Sequence, residues 1–144
     1  TFGGAINSVL CVLGPYWWCP LVLISGLSSG ATLPWLSVAI AAHTLGIAIM
    51  MTADAQKFFT LRVKRGLITD GMFRYIRHPN YLGEILIYGS YGLVVWHWFP
   101  WIVLGFVWGL VFLTNMKLKE ASMSRYPEWA DYYKRSGLLL PKLF

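Results

Sequence analysis

The stretch RYIRHPNYLGEILIYGS, residues 74–90, sets two arginines, a histidine, an asparagine and a glutamate at the mouth of an apolar run. From Tyr81 to His97 that run reads as a short helix able to enter a bilayer. On a 3.6-residue period Tyr81, Glu84, Tyr88 and Tyr91 share one face, with Leu82, Ile85, Leu86 and Leu93 largely elsewhere. A carboxylate inside a span is expensive and faces a cavity or a partner. Ahead of it, Arg74, Arg77 and His78 have i, i+3, i+4 spacing and share a face if that stretch is helical. Pro79 suits a first helical position. The helix start beside two arginines is an expected anion site, and its dipole favours an ionised Glu84. A plainer alternative has Arg74, Arg77 and His78 on lipid headgroups and Glu84 paired with one of them.

The surroundings make the membrane reading general. The chain has 144 residues, 57% hydrophobic and 12% charged, against roughly 25% charged in soluble domains. Eight Trp, eight Tyr and eight Phe add a large aromatic load. Four apolar segments emerge, at about residues 5–28, 35–53, 81–97 and 100–116. Pro15 and Pro20 interrupt the first. HWFP, residues 97–100, joins the last two as an antiparallel hairpin, within a Trp-rich belt of Trp96, Trp98 and Trp101. The fold class expected is therefore all-α, a single integral membrane domain over 1–144. Two N-terminal apolar segments fill 1–53, and a cofactor-binding-like region and tail fill 54–144. The start at Thr1 suggests that residues are missing upstream.

Charge placement orients this layout. The first charged residue is Asp54, and the twelve Lys and Arg fall in two blocks, six in 57–77 and six in 117–142. Four crossings put both blocks on one side, which the positive-inside rule makes cytoplasmic or its equivalent. The expected location is a multi-pass protein of the endoplasmic reticulum, another intracellular membrane or a bacterial inner membrane. Because the basic blocks flank apolar runs, the net charge of +6 reflects topology, and no nucleic-acid partner is expected. Cys11 and Cys19 on one helix would stand about 12 Å apart along its axis, too far for a disulfide.

In the tail, SRYPEWADYYKRSG predicts a short helix starting at Tyr126-Pro127 and ending at Ser136-Gly137. Trp129, Tyr132 and Tyr133 give it an aromatic face for the membrane interface or for capping the helices. Asp54, Gln56 and Lys57 are expected to close the second helix, and Asn115, Lys119 and Glu120 the fourth. These polar groups outline a basin for a phosphate-bearing or carboxylate-bearing cofactor, with an apolar wall for a lipid-like substrate. His43 reads as a packing residue and His97 as part of a turn. No metal-ligand spacing is present.

The segment GLITDGMFRYIRHPNYLGE, residues 66–84, resembles the signature shared by steroid 5-alpha-reductase-type membrane reductases, sterol C14-reductases and isoprenylcysteine carboxyl methyltransferases. ADAQK, residues 53–57, and SRYPEWADYYKRSGLLLP, residues 124–141, are similar to the reductase branch and its less characterised members. The resemblance covers about residues 50–144. It implies an NADPH site contacted by Asp54, Asn80 and Glu84 and lined by Arg74, Arg77 and His78. Tyr132 is carried over from the tail, and Tyr81 joins from the face it shares with Glu84. The methyltransferase branch implies S-adenosylmethionine instead; its tail has two adjacent glutamates, where this chain has Lys119-Glu120. The activity implied is NADPH-dependent reduction of a C=C bond in a steroid-like or other lipid. The alternatives are methyl transfer to a lipid-like substrate and a non-catalytic subunit of a membrane complex. The reductases use an upstream acid and tyrosine, whereas residues 1–53 hold no acid and one tyrosine, Tyr16. Catalytic residues are therefore not assigned.

Overall fold

The computed structural model describes residues 17–142, and the described residues form helices and connecting loops without a β-strand. Helix α1 is Trp18–Ile24, α2 Leu33–Val63, α3 Pro79–Val95 and α5 Trp129–Arg135. Helix α4 runs over Trp98–Met123, with a π-helical segment at Val107–Phe112. Cys19 is a buried free thiol in α1; Cys11, Pro15 and Tyr16 lie outside the described residues.

Helix α2 has 31 residues, about 46 Å at 1.5 Å per residue. It passes the expected end at residue 53 by ten residues, because no glycine or proline interrupts the chain between residue 53 and Gly66. Asp54, Gln56 and Lys57 thus lie within the helix and do not close it. Helices α2 and α4 are both long and apolar enough to cross a membrane. Only 17% and 28% of their apolar windows are buried inside the molecule, unlike the core helices of a soluble protein. Helix α3 has 17 residues, a little short of the ~20 that a hydrocarbon core of ~30 Å requires.

Helices α2 and α3 meet through small residues. Ala39, Gly46 and Ala53 are the buried positions of α2, seven residues apart. A Cβ on Gly46 would come within 2.7 Å of the Gly83 carbonyl oxygen, and one on Gly83 within 2.6 Å of the Gly46 oxygen. Hydrogen at both positions is what lets the backbones approach. On the other flank of α3, Tyr81 packs on Phe112 with centroids 5.0 Å apart, joined by Val107 and Met116.

The α3–α4 turn is tighter than expected. Trp96 takes the left-handed conformation, φ 49°, as the cap of α3. Its ring meets Trp35 at 4.8 Å. His97 caps α4, its Nδ1 accepting from the Phe99 N–H at 3.2 Å. Trp98, Phe99 and Pro100 are therefore helical, and HWFP is mostly not a loop. Helix α4 also outruns residue 116, so Asn115, Lys119 and Glu120 lie inside it.

Two devices fix the polar end. Gln56 ties α2 to the following loop: its amide donates to the Asp70 carbonyl at 3.0 Å, and its Oε1 accepts from the Met72 N–H at 2.8 Å. Gly71 has φ +53°, and a Cβ there would meet the Gln56 amide at 2.5 Å. The tail returns beside residues 75–78 through a parallel bridge between Ile76 and Gly137. The Arg77 N–H donates to Gly137 O at 2.8 Å and the His78 N–H to Leu138 O at 3.1 Å.

Candidate functional site: a basic cavity at the helix ends

Residues 74–78 form a turn and a bend, not a helix, because each residue is held from outside by the tail or by the Gly71 turn. Arg74, Arg77 and His78 consequently do not share a face. Arg77 points inward and is buried. Its Nε binds the Glu120 carboxylate, its Nη1 donates to the Ser136 carbonyl, and its guanidinium lies 4.3 Å from the Tyr133 ring centroid. The acid partner of Arg77 is thus Glu120 of α4, not Glu84.

A cavity of about 400 Å³ opens beside this network, within the ~300–1,000 Å³ typical of small-molecule sites. Helix α2 contributes Lys57 and Leu61, one turn apart, and the loop after it Arg65 to Ile68. Arg77 and His78 come from the bend before α3, Asn80 from its first turn, Lys119 from α4, and Arg125 and Tyr132 from the tail. Five cationic side chains line it, Lys57, Arg65, Arg77, Lys119 and Arg125, and no carboxylate does.

His78 registers the resulting potential. Burial first, then the charges of Lys119, Arg77 and Lys57, push its pKa down to about 4. Glu120 lies 3.6 Å from its Nε2, but that carboxylate is engaged by Arg77 and does not hold the proton on. The His78 Nε2 is buried without a hydrogen-bond partner. A buried polar atom left unsatisfied beside a cationic cavity is a ready contact for a ligand.

Tyr132 closes the wall from the tail. It is 1% exposed, and its hydroxyl donates to the Phe73 carbonyl at 2.7 Å. Burial outweighs the nearby arginines and pushes its pKa up to about 12. It acts as a neutral hydrogen-bonding strut. Trp129 packs edge-on to Tyr132 and tilted against Tyr133 within the tail helix, and of the three Tyr132 is the one buried.

Of the expected site residues, Arg77, His78, Asn80 and Tyr132 come together in the cavity lining. Asp54, Arg74, Tyr81 and Glu84 stand outside it. Tyr81 is one link away: the Lys119 ammonium donates to its hydroxyl at 3.0 Å and lies 4.4 Å from its ring centroid. Asp54 and Glu84 are neighbours of each other, and Lys119 also acts on Glu84. The face shared by Tyr81, Glu84, Tyr88 and Tyr91 is not one ligand surface: Tyr81 and Tyr88 pack toward Phe112 and Tyr91 against His43. His43 also bonds Ser90 at 3.0 Å, a packing role. Lys57 and Lys119, expected at the basin from the helix ends, line the cavity. Arg65 and Arg125 line it too and carry no spacing signal in the sequence; Arg65 is brought there by the unbroken run of α2 to Val63.

Fold and site together define an all-helical protein with two membrane-length helices and a cationic cavity at their polar end. The chain belongs to the family described as "Protein of unknown function (DUF1295)", whose model matches residues 11–136. Among curated proteins it is similar to the uncharacterized protein C594.04c of Schizosaccharomyces pombe, 35% identical over 97 residues, covering 60% of this chain and 27% of the relative. It is also similar to the uncharacterized protein C7D4.09c of the same yeast, 44% identical over 41 residues, covering 28% of this chain and 15% of the relative. The chain thus spans under a third of either relative's length. No solved structure matches it.

Proposed function

We propose that the protein is a membrane-embedded NADPH-dependent reductase of a C=C bond in a steroid-like or other lipid substrate. The observation that carries this reading is the cavity lined by five cations and no carboxylate. Such a lining suits a ligand with several phosphate charges. S-adenosylmethionine carries a sulfonium and one carboxylate, and the same lining repels its positive centre. The resemblance of residues 66–84 to reductases points the same way.

When bound, NADPH supplies hydride to the substrate. The chain's own residues bind and orient. Lys57, Arg65 and Arg125 neutralise phosphate oxygens, and the His78 Nε2–H or lone pair meets a polar group of the ligand. Arg77 is already held by Glu120 and the Ser136 carbonyl, so it contributes fixed charge more than new hydrogen bonds. Tyr81, bonded to Lys119, and Glu84, within reach of that ammonium's charge, stand outside the cavity and would act on the ligand through Lys119. The whole is a multi-pass protein with residues 64–78 and the tail on the cytoplasmic-equivalent side.

Fluorescence titration of the full-length protein in detergent tests the reading. NADPH should bind, more weakly as salt rises, and Arg65→Ala with Lys57→Ala should weaken it roughly tenfold or more. Excess S-adenosylmethionine should not compete. Tight S-adenosylmethionine binding with no NADPH binding would overturn the assignment.

A further inference from the structure

A second, smaller cavity of about 190 Å³ is lined by Thr69, Arg74, Tyr75 and Arg135. Arg74 comes from the turn after the 3-10 segment at Gly71–Phe73, and Arg135 is the last residue of α5. Two guanidinium groups from segments 61 positions apart thus converge on one hollow with two hydroxyl-bearing side chains. No carboxylate lines it, and among the described residues neither arginine has a carboxylate within ion-pair distance. Each is held only along an aromatic face, Arg74 over Tyr75 at 5.2 Å and Arg135 over Tyr132 at 5.9 Å. That leaves their N–H groups available. Two like charges brought together without a counter-charge repel, so the arrangement gains from an anion bridging them. Tyr75, which lines the hollow, is 56% exposed, an aromatic of the kind that sits at a headgroup plane.

We propose that Arg74 and Arg135, with Thr69 and Tyr75, form a second anion site that takes a phosphate group, from a phosphomonoester lipid headgroup or from free phosphate. Its segments also serve the larger cavity: Phe73, next to Arg74, and Tyr132, one turn before Arg135, line that cavity and are joined by the 2.7 Å hydrogen bond. A phosphate bridging Arg74 and Arg135 clamps the tail helix to the 69–75 loop and so steadies the shared wall. The proposal is independent of which cofactor the larger cavity holds.

The test uses full-length protein in a non-ionic detergent, titrated with a short-chain phosphatidic acid, the matching phosphatidylcholine and inorganic phosphate. Thermal shift and native mass spectrometry are the readouts. Phosphatidic acid should bind and stabilise, phosphatidylcholine should not, and R74Q/R135Q should weaken binding roughly tenfold or more. Inorganic phosphate binding as tightly as the lipid keeps the site and makes free phosphate its source. The K117Q variant, which removes one exposed charge outside both cavities, should bind as the parent does. The idea falls if the parent binds neither phosphate probe, if R74Q/R135Q binds them unchanged, or if K117Q loses them equally. Should the double variant not fold, R74Q alone, at an exposed position, carries the same comparison.

Discussion

Replacing Arg77 by methionine removes the group on which the polar end converges. The side chain is 5% exposed, and it bonds the Glu120 carboxylate and the Ser136 carbonyl. Methionine keeps much of the apolar stem but leaves a half-buried carboxylate with only His78 at 3.6 Å. Breaking a buried pair by removing one partner costs about 3–5 kcal/mol. At roughly 2–4 °C per kcal/mol for a chain of this size, the melting temperature should fall by about 10 °C. Adding Glu120→Gln to R77M should restore part of that loss, giving a coupling of about 1–3 kcal/mol in a double-mutant cycle. Thermal unfolding in detergent, without ligand, is the assay. Tryptic cleavage after Lys134 or Arg135 should accelerate in R77M, since the tail loses its anchor. A melting temperature within about 2 °C of the parent, with additive effects in the cycle, would refute the network.

His78 makes stability depend on pH. Its folded pKa lies near 4, below the ordinary 6.5, so between those values the unfolded chain binds a proton that the folded chain refuses. The contribution is present above about pH 6.5 and lost as pH falls toward 4, at most about 3 kcal/mol; His78→Gln should flatten that slope of melting temperature against pH. Tyr132→Phe keeps the ring but leaves the Phe73 carbonyl unsatisfied, and should cost about 1–3 kcal/mol in denaturant unfolding. Gly83→Ala and Gly46→Ala each drive a Cβ to under 3 Å from facing backbone, and should cost about 3 kcal/mol or more or abolish folded expression. Gly109→Ala, where a Cβ meets nothing within 4 Å, should be neutral or slightly stabilising in thermal unfolding in detergent.

Much of the helical plan was legible in the sequence because apolar runs, Pro79 and the tail's Tyr126-Pro127 start are local signals. The starts of α3 and α5 fall close to where those signals put them. The helix ends were less legible. Residues 54–63 are polar yet helical, since nothing in ADAQKFFTLRV breaks a helix, and polarity alone reads as loop. Trp96 in a left-handed cap carries no sequence signature of the kind glycine gives. The separation of Arg74 from Arg77 depends on Gly137 and Leu138, sixty residues on, bonding the 77–78 backbone. Helical spacing cannot anticipate such a tertiary pairing. The Arg77–Glu120 pair was hidden for the same reason, and Glu84, the nearer acid in sequence, drew attention from it.

The most direct test of the account is to purify the full-length protein gently from its native membrane, denature it and identify the released small molecule by mass spectrometry. The account predicts a nicotinamide dinucleotide phosphate, lost when Lys57 and Arg65 are both replaced by alanine. Recovery of S-adenosylmethionine or its demethylated product in its place would contradict it.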